Sequence, residues 1–334
     1  MKDKMKQVQM QDYGSPEVLK LVETEIPTPN AGEVLIKVKT IGVNYSDILR
    51  RKNTYFQETP LPFVLGTEAV GEIVAVGEGV TIPYIAGTTV LAILPHASGY
   101  SEYVTAIAQY CVPLPPEIDE EKATAIFVQG TTAQLIISKV ANDLKGKIVL
   151  VNASAGGVGS LLVQLAKRNG ATVIGASSSD TKMEISKELG ADFTVNYSKP
   201  DWSKKVKDLT DEKGVDIVFE MVGGEVYNQS LQCLKQGGQI IVFGCASGVQ
   251  GSIHPEFFVD ENITQSGFNL AYFINHKMGL WREALETVIG LLMQGKLNVE
   301  TTHRFALEEA SSAHKSIESR ITTGKVILTT KYQN

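Results

Sequence analysis

The segment NASAGGVG, residues 152–159, has the composition of a loop that binds a phosphate. It follows the apolar run IVLV and precedes a stretch with the apolar spacing of a helix. The N-terminus of a helix carries N–H groups without partners and the positive end of the helix dipole, so it favours a phosphate. The motif Ala153-x-x-Gly156-x-x-Gly159 corresponds to the dinucleotide fingerprint, with alanine where the first glycine usually stands. The loop residues predicted to bind the dinucleotide are Ala153, Gly156, Gly157, Val158 and Gly159.

The next strand, VIGA, indicates which nicotinamide dinucleotide is bound. An Asp or Glu at the end of this strand takes the ribose hydroxyls of NAD and repels the 2′-phosphate of NADP. Here the strand ends in Ser177, Ser178 and Ser179, whose hydroxyls can donate to a phosphate, and Lys182 adds positive charge. Ser177 to Asp180 can instead cap the following helix, and the two roles are compatible. The pattern predicts NADPH as the cofactor.

The residues that ligate metals do not cluster along the chain. The histidines are His96, His254, His276, His303 and His314, and the cysteines are Cys111, Cys233 and Cys245. None stands at a metal-ligand spacing, and there is no C-x-x-C. We therefore expect no metal, and we expect the histidines on the surface or in loops. An odd number of distant cysteines indicates reduced thiols rather than a disulfide framework.

The elements that must position these residues fall into two kinds. The first 123 or so residues contain short apolar strands broken by glycine and proline, which predicts a β barrel or sandwich. From about Ala123, strands alternate with helices, which predicts a doubly wound parallel sheet and thus an α/β fold. From about Leu270 the pattern is mixed again, with one amphipathic helix and a terminal strand, KVILTTK.

Composition excludes several classes of protein. A chain of 334 residues with 43% hydrophobic and 20% charged residues suits a globular protein of two domains. The net charge is −6 and no dense Lys/Arg run occurs, so we expect no nucleic-acid partner. No run approaches about 18 apolar residues and the N-terminus has no apolar signal segment, so we expect a cytoplasmic protein without a membrane span.

Several longer motifs resemble one known family nearly from end to end. They are YGSPEVL, GVNYSD, LPFVLGTEAVGEIVAVG, GYSEY, ASAGGVG, ADFTVNY, FGCASG and AHKSIESRITTGKVIL. The chain resembles the zinc-independent NADPH:quinone oxidoreductases of the medium-chain dehydrogenase/reductase superfamily. The resemblance implies a GroES-like catalytic domain, residues 1–123 and 270–334, and an inserted Rossmann NADP-binding domain, residues 124–269. It also implies an active site in the cleft, a homodimer, and NADPH-dependent reduction of quinones or other conjugated carbonyls.

The resemblance also implies residue roles. In zinc-containing relatives a cysteine ligand stands where Asn44 is and a histidine where Thr67 is, so both ligands are missing here. Asn44 could donate to the substrate oxygen, or it could be a turn asparagine. Tyr45 and Tyr55 are candidate pocket residues. Tyr55 could donate a proton, as in enoyl-reducing relatives, or could be an aromatic wall with water as the proton source.

The remaining cofactor contacts implied are Gln129, Thr132, Lys182, Tyr197, Phe243, Gly244 and Ser247. Phe243 could equally be a core residue, and Cys245 is expected to be a small apolar group rather than a redox group. Three functions stay open. They are an NADPH:quinone reductase, a 2-alkenal or enoyl reductase, and a non-catalytic NADPH-binding protein.

Overall fold

The computed structural model describes residues 3–141, 143–299, 301 and 303–330. The strands are β1 (Lys4–Met10), β2 (Leu19–Glu25), β3 (Glu33–Val43), β4 (Phe63–Val64), β5 (Glu68–Val76), β6 (Thr89–Ile93), β7 (Tyr103–Ile107), β8 (Cys111–Pro113), β9 (Ile148–Asn152), β10 (Thr172–Ser177), β11 (Phe193–Asn196), β12 (Val215–Glu220), β13 (Leu234–Val242), β14 (Thr264–Gly267), β15 (His303–Ala306) and β16 (Val326–Thr329). The helices are α1 (Tyr45–Arg51), α2 (Glu120–Leu135), α3 (Gly157–Arg168), α4 (Asp180–Glu188), α5 (Trp202–Asp208), α6 (Gly224–Cys233), α7 (Pro255–Asp260), α8 (Leu270–His276), α9 (Met278–Met293) and α10 (Ala310–Glu318). Within these described ranges, no helix is both long and apolar enough to cross a membrane.

The first of two compact units ends at Val128 and resumes at Val299. Its larger sheet has the order β15-β16-β3-β5-β6-β8, with β7 also paired to β3, and a smaller sheet has the order β2-β1-β4. Strand β3 is central and mostly buried, with Val34, Ile36 and Val38 in the core. The C-terminal strand β16 pairs antiparallel with β3, so the end of the chain completes the sheet. This β-rich unit confirms the first half of the predicted fold class.

The second unit, Gln129–Asn298, contains a six-stranded sheet in the order β11-β10-β9-β12-β13-β14. Every strand pair in it is parallel, which confirms the predicted doubly wound sheet. Strand β9 is flanked by β10, which follows it in the chain, and by β12 on its other side. The order of the strands therefore reverses at β9, and ligands of such sheets bind at the carboxyl ends of the strands at this point.

The boundary predicted at residue 270 is not where the structure divides the chain. Residues 270–298 belong to the second unit. Helix α9 buries Trp281, and its Glu283 lies 3.6 Å from Lys139 Nζ, also in that unit. Gln164 Nε2 donates to Asn298 O at 2.9 Å, and Asn298 N–H donates to Gln164 Oε1 at 2.7 Å. The other boundary lies inside α2, five residues after the expected position.

Candidate active site

The loop after β9 has the geometry of a phosphate-binding turn. Ala153 adopts a left-handed backbone with φ 51°, and Gly156 N–H donates to Ala153 O at 2.8 Å. Helix α3 begins at Gly157, and Ser160 N–H donates to Gly156 O at 2.8 Å. Gly156 O is the first acceptor of the helix and Ser160 N–H is the first donor that it bonds. The N–H groups of Gly157, Val158 and Gly159 therefore have no acceptor within α3. Together with the helix dipole they form a site for an anion.

Two glycines in this loop are required by close contacts. A Cβ at Gly159 would lie 2.2 Å from Ala153 O, so only glycine lets α3 pack against the turn. A Cβ at Gly157 would lie 2.2 Å from Gln129 Nε2, so the Gln129 amide lies directly beside the loop. Thr132 follows in the same helix, α2, and is nearly buried. The structure therefore brings Gln129 and the glycine loop together, while their contact with a cofactor stays a prediction.

The serines after β10 divide their roles. Ser177 is buried, and its hydroxyl lies 2.8 Å from Ser154 Oγ, so it supports the glycine loop from beneath. Ser179 is the N-cap of α4 and accepts a hydrogen bond from Lys182 N–H at 3.4 Å. The capping role expected of this segment therefore falls to Ser179. Ser178 is only partly buried, and its carbonyl oxygen accepts from Ser198 Oγ at 2.9 Å.

No carboxylate stands at the end of β10. The nearest one along the chain, on Asp180, accepts a hydrogen bond from Asn196 Nδ2 at 3.0 Å. Strand β11 brings Tyr197 to the same edge, where its N–H donates to Ser177 O at 3.0 Å. This edge combines hydroxyl groups with Lys182 nearby in sequence, which suits a 2′-phosphate better than free ribose hydroxyls.

The segment after β13 lies at the same carboxyl edge of the sheet. Phe243 N–H donates to Glu220 O at 3.0 Å, and a Cβ at Gly244 would lie 3.3 Å from the Cβ of Met221. Ser247 Oγ donates to Val249 O at 3.0 Å. Phe243, Gly244 and Ser247 therefore stand beside the end of β12, and their contact with the nicotinamide half stays a prediction. Cys245 is partly buried and has a free thiol.

The first unit contains a second candidate region, which we name the Asn44 cluster: Asn44, Asp47, Glu68 and Lys325. Asn44 follows β3 directly and is the N-cap of α1. Lys325 Nζ donates to Asn44 Oδ1 at 2.8 Å and to Glu68 Oε1 at 2.5 Å. Asn44 Nδ2 donates to Glu68 Oε1 at 2.8 Å. The side chains of Lys325 and Glu68 are fully buried, and Asn44 is 7% exposed.

Asp47 closes the cluster on the side of α1. Its carboxylate accepts from Asn44 N–H at 2.9 Å and from Gly66 N–H at 3.2 Å. Burial raises the pKa of Asp47 to about 6, against the two backbone hydrogen bonds and the charge of Lys325, which lower it. Sequence reasoning missed Asp47, Glu68 and Lys325 as site residues. The sequence feature that could have indicated them is a charged residue inside a motif of otherwise apolar or small residues, as in GTEAVG and GKVIL.

The two candidate tyrosines lie on and after α1. Tyr45 is its first residue and is half-buried. The Tyr55 ring lies 4.3 Å from the Arg50 guanidinium carbon and 4.2 Å from the Phe56 ring, centroid to centroid. Burial raises the pKa of Tyr55 although the Arg50 charge lowers it. The contacts with Arg50 and Phe56 suit the wall of a pocket, and the role of Tyr55 as a proton donor stays a prediction.

Across the part of the chain that the structure describes, no three His, Cys, Asp or Glu residues are grouped to hold a metal. The expectation that every histidine lies on the surface or in a loop is wrong for His314, which is fully buried in α10. Arg51 Nη1 lies 3.3 Å from its Nδ1, and the Tyr100 hydroxyl lies 2.9 Å from its Nε2. Burial, with the Arg51 charge, lowers the pKa of His314 to about 3.

Known proteins match both units. The family of alcohol dehydrogenase GroES-like domains matches residues 30–116, and the family of zinc-binding dehydrogenases matches residues 157–290. A probable quinone oxidoreductase of Schizosaccharomyces pombe is 34% identical over 96% of each chain. A 2-haloacrylate reductase of a Burkholderia species is 31% identical over 94% of this chain and 96% of its own. The crystal structure of Escherichia coli quinone oxidoreductase complexed with NADPH has a TM-score of 0.92 and 30% identity, covering 97% of this chain and 99% of that one.

The two folds and these matches first define a two-domain reductase of the medium-chain dehydrogenase/reductase superfamily. More narrowly, the chain belongs to the quinone oxidoreductase family of that superfamily. The resemblance found in the sequence motifs is thereby confirmed.

Proposed function

We propose that this protein reduces quinones with NADPH by hydride transfer and without a metal ion. The observation that carries the proposal is the row of N–H groups at Gly157, Val158 and Gly159, which have no acceptor in α3 and follow a tight turn against which only glycine fits at position 159. The relative from Escherichia coli has been solved with NADPH, which supports the same cofactor here. The S. pombe relative, named a probable quinone oxidoreductase, supports the substrate class.

NADPH supplies the hydride, and the protein contributes binding, orientation and electrostatics. The N-terminus of α3 receives the pyrophosphate, and the edge with Ser178, Lys182 and Tyr197 receives the 2′-phosphate. Ser177 acts beneath the loop through Ser154. The groups proposed for the nicotinamide half are Gln129, Thr132, Phe243, Gly244 and Ser247.

Asn44 is the proposed donor to the substrate oxygen. Reduction of a quinone or an enone places negative charge on a carbonyl oxygen, and a fixed donor stabilises that charge. One hydrogen of Asn44 Nδ2 is directed to Glu68. The other has no acceptor among the described residues, so it is available to a substrate. Tyr45 and Tyr55 form part of the pocket wall, and water supplies the proton.

The Asn44 cluster also supports a reaction without metal. Asn44 and Thr67 stand where zinc-containing relatives have ligands. Lys325 already brings a cation to 2.8 Å from Asn44 Oδ1, and a divalent ion beside it would be repelled. Both oxygens of the Glu68 carboxylate already have partners. Oε1 pairs with Lys325, and Oε2 accepts from Val128 N–H at 2.9 Å.

Reduction of other conjugated carbonyls is the second candidate function. The 2-haloacrylate reductase is 31% identical to this chain, and its name describes the reduction of a conjugated acid. The same donor at Asn44 would serve an enolate oxygen.

The protein acts in the cytoplasm as a homodimer in this proposal. Strand β14 is an edge of the six-stranded sheet and is mostly exposed, so its backbone is open to a second copy. The free thiols of Cys111, Cys233 and Cys245 are typical of a reducing compartment.

The decisive experiment is a screen of NADPH oxidation against quinones, 2-alkenals and enoyl thioesters, with and without a metal chelator. We expect turnover to be fastest with quinones and unchanged by the chelator. Faster turnover of enals or thioesters would favour the second function. Tight NADPH binding without any turnover would indicate a non-catalytic protein, and activity lost to the chelator and restored by zinc would overturn the metal-free mechanism.

A further inference from the structure

We propose that Lys325 is a positioning residue for the reduction. With Glu68, it holds the Asn44 carboxamide in one orientation, so that a single Nδ2 hydrogen remains for the substrate oxygen. This inference rests on the proposed function and adds the group that makes Asn44 a directed donor.

The hydrogen bonds fix which way the carboxamide faces. An ammonium group only donates and an ionised carboxylate only accepts. The Asn44 atom 2.8 Å from Lys325 Nζ must therefore be the oxygen, and the atom 2.8 Å from Glu68 Oε1 must be the nitrogen. A flipped amide would set its NH₂ group against the ammonium and its oxygen against the carboxylate. Each of these contacts is repulsive, so Lys325 and Glu68 together exclude the flipped state.

The backbone register brings these three residues together. Val326 pairs with Val43 across β16 and β3, so Lys325 falls opposite Asn44. Ile41 pairs with Ala69 across β3 and β5, so Glu68 falls opposite Gly42. A Cβ at Gly42 would lie 2.1 Å from Glu68 Oε1. Glycine at this position therefore opens the path by which the Glu68 side chain crosses β3 to reach Asn44.

The energetic cost of burying the Lys325–Glu68 ion pair indicates that the pair has a role other than stabilising the fold. A buried ion pair loses the solvation of both charges, and well-packed apolar residues are often as stabilising or more so. Lys325 and Glu68 are both fully buried and bonded to the same carboxamide. A preorganised donor costs no reorganisation when charge develops on the substrate, which is the gain that this arrangement offers.

A double-mutant cycle tests the inference. We expect Lys325→Met to lower kcat for the quinone about 10- to 100-fold, because small displacements of a catalytic group have effects of this size. NADPH affinity should be unchanged. In an Asn44→Ala background the same substitution should change kcat by less than about 2-fold, since coupled residues are not additive. Equal losses in both backgrounds would overturn the inference and assign Lys325 a purely structural role.

Two variants keep the cycle interpretable. Lys39→Met is the matched control, because Lys39 Nζ also pairs with a glutamate in this unit, Glu120, at 2.6 Å, but is partly exposed. We expect it to leave kcat unchanged. If Lys325→Met does not fold, Lys325→Met combined with Glu68→Gln removes the charges of both members of the buried ion pair. A folded double variant with wild-type kcat would overturn the inference.

A measurement without substrate separates this inference from the proposed function. In protein labelled with ¹⁵N at the asparagine side chains, the Asn44 signal is assigned by its loss in Asn44→Ala. We expect two distinct Nδ2 hydrogens in the wild type, with the one facing Glu68 protected from exchange, and loss of that protection in Lys325→Met. A protein that shows this difference but reduces no quinone would refute the proposed function alone. An unchanged signal in Lys325→Met would refute the positioning role alone.

Discussion

The glycine loop and the Asn44 cluster differ in whether their polar groups have hydrogen-bond partners within the protein. The loop leaves backbone N–H groups of Gly157, Val158 and Gly159 without acceptors in α3, beside small residues that admit a phosphate. The cluster buries charged side chains and connects nearly every polar atom to another. A site that binds an anion needs N–H donors that have no hydrogen-bond partner before the anion arrives. A site that orients one donor needs the other polar atoms around it to be hydrogen-bonded already.

The difference predicts different weaknesses. The loop should be sensitive to added bulk and tolerant of small changes in charge. The cluster should be sensitive to changes in charge even where the shape is kept. Substitutions that alter only one of these properties can separate the two regions.

The largest effect is expected from Gly159→Ala. The new Cβ would lie 2.2 Å from Ala153 O, so the turn must move away from α3. We expect NADPH to bind at least about 100-fold more weakly, because one or two charge-assisted hydrogen bonds to phosphate would be lost. A fluorescence titration with NADPH measures this. Gly290→Ala is the matched control in a helix of the same unit, with open space at its Cβ, and should bind normally. Equal affinity in the two variants would contradict the phosphate role of the loop.

Asn44→Asp should have the next largest effect. The side chain keeps its shape and its contact with Lys325, but it loses the Nδ2 hydrogens and sets an oxygen against Glu68 Oε1. We expect kcat with a quinone to fall about 100-fold, the usual cost of removing one oxyanion donor, while NADPH affinity is retained. Steady-state kinetics and the same titration separate the two quantities. Asn53→Asp, at an exposed asparagine of the same unit, controls for the change of charge. A variant at Asn44 that keeps wild-type kcat would show that Asn44 does not contact the substrate.

The loop could be predicted from sequence because its parts are contiguous. One strand, three glycines and one helix within about 20 residues carry the whole signal. The cluster could not, because Asn44, Glu68 and Lys325 meet only through the registers of β3 with β5 and β16. Both regions were present in motifs that resemble the family, yet the motifs assigned a role to Asn44 alone. No turn joins β3 to β16, so their register is not fixed locally and a single sequence does not display it.

The fold shows the same division. The parallel strands β9 to β13 were predicted because each contains a short apolar run followed by a helix or a turn. Strand β14, TQSG, was not predicted, because it has no apolar run. Helix α5, WSKKVKD, was not assigned, because four of its seven residues are charged and only Trp202 and Val206 are buried. The boundary at 270 was misplaced because α9 resembles any amphipathic helix, and its burial of Trp281 in the second unit is a tertiary fact.

The smallest effect is expected at His314. Its partner Tyr100 also lies beside Asp47, so the hydrogen-bond network of the Asn44 cluster extends to His314. Arg51 donates to Nδ1, so Nε2 carries the hydrogen and the ring is neutral. Its pKa of about 3 lies below the ordinary value of 6.5. Between these values the unfolded chain binds the proton and the folded one does not, so stability is full above pH 6.5 and declines as the pH falls toward 3.

We therefore expect the free energy of unfolding of the wild type, minus that of His314→Gln, to rise from pH 4 to 6.5 and then to level off. The slope should not exceed about 1.4 kcal/mol per pH unit. Asp47 has the opposite sign. Its pKa is raised from 3.8 to about 6, so its contribution to stability falls as the pH rises through that window. Because Asp47 is present in both proteins, the difference between their urea denaturation curves cancels its contribution. A difference that stays flat from pH 4 to 7 would mean that His314 binds its proton at the same pH in the folded and unfolded states. The buried network would then contain an imidazolium beside Arg51 at the lower end of this range.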